Sequence, residues 1–197
     1  MRYGSAFMVF FAVASPFVSS FAESFLTVKI GQQIWMSKNM DVETSEGSWC
    51  YDDETENCKK YGRLYTWAAA MKLPESCNSK KCVESIRYPH QGVCPAGYHI
   101  PTKDEFETLL EYTERKIRSN TWKSGEDLSG FNLLPSGDRA ISSGRFYFLG
   151  SKGYLWSSSE FNRNYSWFLM VDGADAYMDD ISRLNGFAVR CIQNVAP

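Results

Sequence analysis

Six cysteines, Cys50, Cys58, Cys77, Cys82, Cys94 and Cys191, constrain this chain more than any other feature of it. An even count in a chain bound for an oxidising compartment reads as a disulfide framework, and six cysteines allow fifteen pairings. Proximity in sequence favours Cys50 with Cys58 and Cys77 with Cys82, each pair inside a polar stretch, which leaves Cys94 to close on Cys191. That last bridge would matter most, because in the chain-entropy model a closed loop of roughly 100 residues contributes about 4.7 kcal/mol. The competing arrangement is a metal site built from Cys77, Cys82, His90 and Cys94. Its cysteine spacing is loose for zinc and it would strand Cys50, Cys58 and Cys191, so the sequence favours disulfides.

The N-terminus points to the compartment. Arg2 precedes an apolar run from Phe7 to Val18, too short to span a bilayer, which leads into Ser19-Ser20-Phe21-Ala22. This is the pattern of a cleavable secretory signal peptide over residues 1–22, and no cysteine follows the run to take a lipid anchor. Residues 23–197 are then expected to be one domain, secreted or periplasmic, long enough to bury a core. Loss of Arg2 takes the formal net charge from −2 to about −3, which attracts neither nucleic acid nor anionic lipid. No later segment approaches the length of a membrane span.

Along the chain, Phe25 to Ile30 alternates with a β-branched bias, turns at Gly31-Gln32 and resumes to Met36, the pattern of a hairpin. Residues 41–62 are acidic and read as a loop. Tyr65 to Lys72 is rich in helix formers until Pro74 stops it. Residues 74–93 read as a polar excursion. Thr102-Lys-Asp-Glu105 has the spacing of a capping box, predicting a helix from Lys103 to about Lys116 with Phe106, Leu109, Leu110 and Thr113 on its buried face. From Asn120 onward glycines punctuate short apolar runs, with strands expected at 145–149, 153–158, 165–171 and 186–192. The reading is an α+β domain: two helices packed on short antiparallel strands, loop-rich and disulfide-stabilised.

Several blocks of this chain resemble the Fibrobacter succinogenes major paralogous domain family. They are Thr27 to Met36, Ser48-Trp-Cys-Tyr-Asp52, Asn57 to Met71, Gly92 to Thr102, Tyr154 to Glu160 and Gly186 to Cys191, in order across nearly all of the expected mature chain. The family is defined by sequence, without an assigned biochemical role. The resemblance implies a C-type-lectin-like fold, akin to that of formylglycine-generating enzymes, with paired terminal strands and a long-range disulfide. Two positions depart from the family pattern: Tyr98 stands where Trp is common, and Asp138 where an aromatic is usual.

Catalytic signals are sparse. Only His90 and His99 could supply an imidazole, and His99, just before a helix, reads as a hydrogen-bonded structural histidine. No nucleophile elbow or phosphate-binding glycine loop is present. Formylglycine-generating chemistry needs a pair of cysteines near the C-terminus, where only Cys191 stands. Asp172 and Asp175 with Asp179-Asp180 are hard ligands that suit calcium, but they lack the spacing of a calcium loop, so no cofactor is assigned. Trp49, Trp122, Trp156, Trp167, Tyr147 and Tyr165 could stack on sugar rings, but Trp35, Trp67 and Trp156 read as core, and Trp122 and Trp167, in or beside polar segments, are the better surface candidates. The expected function is therefore a non-catalytic binding or surface-interaction module for a polysaccharide or cell-surface protein; the alternative is an exported enzyme distantly like the formylglycine-generating class. Ligand contact is expected on loops 136–145 and 160–180, through Asp138, Arg139, Glu160, Asn162, Trp167, Asp172 and Asp175.

Overall fold

A computed structural model describes residues 25–118, 127, 129–172 and 175–195. The signal peptide expected over 1–22 and Trp122 lie outside the described residues. The N-terminal hairpin forms as its alternation predicts, from β1 (Thr27–Ile30) and β2 (Gln33–Met36), with Gly31 at φ +57° in the turn. Then come β3 (Ser48–Trp49), α1 (Thr55–Tyr61), β4 (Leu64–Tyr65), α2 (Trp67–Ala70), β5 (Tyr98–His99) and α3 (Lys103–Tyr112). The C-terminal half holds β6 (Ser136–Arg139), β7 (Phe146–Leu149), β8 (Lys152–Glu160), β9 (Tyr165–Asp172), β10 (Asp175–Ser182) and β11 (Ile192–Gln193).

These strands form short antiparallel sheets. The first has the order β1-β2-β11-β5, so the C-terminal strand lies beside the N-terminal hairpin. The second is the meander β10-β9-β8, and the pairs β3-β4 and β6-β7 stand apart from both. One face of the meander, carrying Leu155, Leu169, Val171 and Ala176, shares a core with Phe106, Leu109 and Leu110 of α3 and with Trp35 of β2. The opposite face carries Tyr154, Trp156 and Phe168, which pack with Phe187, Trp67 and Met71 in a second core. Trp35, Trp67 and Trp156 are all fully buried. The indole N–H of Trp67 donates to the Ser157 carbonyl at 2.8 Å and that of Trp156 to the Tyr65 carbonyl at 2.7 Å, so neither leaves an unmet donor.

All three disulfides pair as expected: Cys50–Cys58 and Cys77–Cys82, favoured by proximity, and Cys94–Cys191, the pair these leave. The zinc arrangement is not formed, since its three cysteines are bridged and His90 Nε2 bonds the Met71 carbonyl at 2.8 Å. The capping box is present in both directions, and Phe106, Leu109, Leu110 and Thr113 are buried as their spacing predicts. His99 is the structural histidine expected. Its Nε2 bonds Glu105 at 2.8 Å and its Nδ1 bonds Asn194 at 2.7 Å.

Four local expectations are corrected. Residues 41–62 are not all loop, because α1 forms beside the Cys50–Cys58 bridge; with only Cys58 buried it carries no apolar stripe to reveal it. Helix α3 ends at Tyr112 instead of Lys116, where Glu114 and Arg115 take φ +47° and +63° and turn the chain so that Ile117 enters the core. The strand expected over 186–192 reduces to β11 and isolated bridges, Gly186 with Arg139, Phe187 with Tyr65 and Ala188 with Leu155; its apolar residues are buried between neighbours on several sides. Finally, the loops expected at 136–145 and 160–180 are largely strand. Polar residues at 136–139 and 175–182 are held in β6 and β10 by backbone pairing with β7 and β9, and among the described residues 140–145 and 161–164 remain as loop.

Candidate functional site

A cleft of about 680 Å3 opens between the acidic segment 42–47, β3, the end of α2 and the loop after β6. Its shape has local causes. Gly47 lies at φ +71°, and a Cβ there would come within 2.6 Å of Thr66 Oγ1, so only glycine lets the segment approach α2 this closely. The Thr66 N–H donates to the Gly47 carbonyl at 2.8 Å, while the Thr66 hydroxyl caps α2 by accepting from the Ala69 N–H. Beyond α2, Lys72 takes φ +51° and Pro74 prevents continuation, so Leu73 and Pro74 form the opposite wall.

The floor is a cation–π pair. Trp49 of β3 is half-buried, and the Arg139 guanidinium lies 4.1 Å from its ring centroid and 5.9 Å from that of Phe146. Arg139 is fixed by the backbone as well, exchanging two bonds with Gly186 at 3.0 and 2.8 Å. Of the acids on the cleft, Glu43 pairs with Arg63 at 3.3 Å, and Arg63 also reaches Asp41 at 3.4 Å. Glu46, Glu75 and Lys72 are exposed around the opening. The arrangement offers aromatic and aliphatic surface, a fixed planar cation and carboxylates on one wall, a combination suited to a ligand with apolar faces and polar edges.

The residues predicted to touch a ligand fall in three places. Arg139 lines the cleft. Its neighbour Asp138 is 9% exposed, with Oδ1 lacking a hydrogen-bond partner, and burial pushes its pKa up to about 6 against the lowering effect of Lys152. Glu160 and Asn162 border a second, shallower cavity of about 540 Å3 with Tyr88 and Phe161; Trp167 meets Phe161 edge-on at 5.1 Å. Much of that second group is already engaged. Glu160 accepts from Arg183 at 2.8 Å, Asn162 Oδ1 accepts from the Asn164 and Tyr165 N–H groups, and Lys103 lies 4.8 Å from the centre of the Trp167 ring. At the far tip of the meander Asp172 faces Asp175 in register and bonds Lys152 at 2.7 Å. Asp179 and Asp180 point to opposite faces of β10, and among the described residues no three metal-ligating side chains gather.

Sequence reasoning placed Trp49 among the aromatics and Arg139 among the ligand residues without bringing them together. It missed Gly47, Thr66, Lys72, Glu46 and Glu75. A sequence signal existed for Thr66, an N-cap residue directly before a run of helix formers, but none of the local patterns shows that segment 42–47 folds over α2.

In architecture this is a small disulfide-bridged domain of mixed α and β structure, built from several short antiparallel sheets with few helices. Residues 28–193 match the Fibrobacter succinogenes major domain, and the chain belongs to that family. Neither a curated protein nor a solved structure matches it.

Proposed function

We propose that this chain is an exported, non-catalytic binding module that takes a saccharide ligand in the cleft floored by Trp49 and Arg139. The observation that carries the reading is the Trp49–Arg139 cation–π pair, held on strands at the base of a cleft with aliphatic and carboxylate walls. An aromatic face beside hydrogen-bonding groups is what a hydroxylated ring requires. Three disulfides favour an oxidising compartment. The pairing of β11 with the N-terminal hairpin, together with the long-range Cys94–Cys191 bridge, supports a C-type-lectin-like reading of the fold. Formylglycine-type chemistry would call on cysteine sulfur, and all six cysteines are bridged, which supports the non-catalytic reading.

The test is an array of plant and bacterial polysaccharides probed with the oxidised chain of residues 23–197, with and without calcium, followed by Trp49→Ala and Trp167→Ala. Loss of stacking at Trp49 is expected to weaken binding by tenfold or more, while Trp167→Ala leaves it within about twofold. The reverse pattern would move the site to the surface around Phe161 and Trp167. No binding to any saccharide would remove the reading.

A further inference from the structure

We infer that the cleft selects an acidic saccharide, a chain bearing uronate carboxylates, by docking one carboxylate on the guanidinium edge of Arg139. This rests on the saccharide reading above and narrows its ligand class. The starting observation is how much of the fold is arranged around one cation. Trp49 and Phe146 flank the guanidinium, a Cβ on Gly144 would come within 3.1 Å of Arg139 Nη2, and a Cβ on Gly186 would come within 2.9 Å of Arg139 Cβ. Two aromatic rings and two glycines from separate segments thus leave room for this side chain.

The two fully buried arginines, Arg183 and Arg190, and the partly buried Arg63 meet partners within the chain. Arg63 pairs with Asp41 and Glu43, Arg183 with Glu160, and Arg190 donates to Asn39 and to the Phe131 carbonyl. Arg139 is held by its backbone bonds to Gly186 and by two ring contacts, and among the described residues no carboxylate forms an ion pair with it and no acceptor takes a hydrogen bond from its side chain. A guanidinium held over an aromatic ring still has N–H groups to donate, and two of them match a carboxylate with two parallel bonds. A lysine in the same place would present a point charge without this geometry.

The surroundings limit the kind of anion. Glu43 is neutralised by Arg63, but Glu46 and Glu75 stand on the cleft alongside Lys72. These two carboxylates repel a densely charged polyanion while accepting hydrogen bonds from hydroxyls. Trp49, Leu73 and Ile141 add apolar surface for sugar ring faces. A carboxylate spaced one per sugar and flanked by hydroxyls satisfies all three features; a chain sulfated or phosphorylated at several positions per sugar brings more negative charge against Glu46 and Glu75.

The test compares tetragalacturonate, its methyl ester and a neutral galactose tetramer by titration calorimetry with the oxidised chain. The free acid is expected to bind about tenfold to a hundredfold more tightly than the ester, the range for one charge-assisted contact. Arg139→Gln should erase that difference, and Arg139→Lys should restore part of it; thermal melts of both variants check that they fold. Equal affinity of the intact protein for acid and ester would overturn the inference while leaving saccharide binding in place, and needs no variant. Stronger binding of heparin than of tetragalacturonate would overturn it in favour of general polyanion attraction. Binding of none of these probes, in a protein that binds neutral polysaccharides on the array, would overturn the inference alone; binding of no saccharide at all would remove both readings.

Discussion

Asp138 and Arg139 are adjacent in β6 and were expected to act together, yet the strand gives them opposite fates. Arg139 lines the cleft, while Asp138 is buried with one carboxylate oxygen unbonded. Burial disfavours the charged form, and although the Lys152 charge opposes this, the folded pKa rises to about 6 from an ordinary value near 3.8. The folded state therefore holds its proton more tightly than the unfolded chain. The contribution of Asp138 to stability is full below about pH 4 and is lost as pH rises through about 6. Asp138→Asn removes the titration but keeps the shape, so its stability relative to the parent should increase by up to roughly 3 kcal/mol between pH 4 and pH 8. Urea denaturation of both proteins at the two pH values measures this, and a pH-independent difference would show that Asp138 is solvated.

At the scale of elements, a buried arginine joins parts of the chain that no local pattern connects. Arg183, just after β10, is fully buried with its guanidinium 4.2 Å from the Trp67 ring centroid. It donates to the Ser166 hydroxyl and to the carbonyls of Cys77, Lys80, Asn162 and Tyr165, and it pairs with Glu160 at 2.8 Å. The loop closed by Cys77–Cys82 is thereby fixed to the β8–β9 turn. Burial lowers the Arg183 pKa, and Glu160 opposes that shift. Glu160, expected from sequence to touch a ligand, pairs with Arg183, and its side chain is 14% exposed. Arg183→Ala should destabilise by about 3–5 kcal/mol, because it leaves Glu160 and several carbonyls without a partner. Adding Glu160→Gln to that variant should recover part of the loss by removing the uncompensated charge. Denaturant midpoints of the two variants decide it, and equal midpoints would mean that the pair is not coupled.

For the whole molecule, the Cys94–Cys191 bridge spans 97 residues and lies next to β11, the strand that joins the N-terminal hairpin to β5. Replacing both of its cysteines by Ala should cost about 4.7 kcal/mol in the chain-entropy model, against about 2 kcal/mol for the five-residue separation of Cys77–Cys82. Thermal and urea unfolding of the two double variants tests this, and equal losses would show that the long loop does not govern stability. The cysteine pairing, the hairpin of β1 and β2, the buried face of α3 and its capping box, and the three core tryptophans were all legible in the sequence. Each depends on contacts a few residues apart, on alternation, or on a short list of possible partners. Helix α1, strands β6 and β10, the early end of α3 and the burial of Asp138, Arg183 and Arg190 were not legible. Their residues are polar or lack a clear period, and what fixes them is supplied by distant neighbours: a partner strand, a turn stapled by a bridge, a carbonyl from another loop. The cleft follows the same division. Trp49 and Arg139 are individually conspicuous in the sequence, but they lie 90 positions apart, and only the packing of β3 beside β6 brings an indole under a guanidinium.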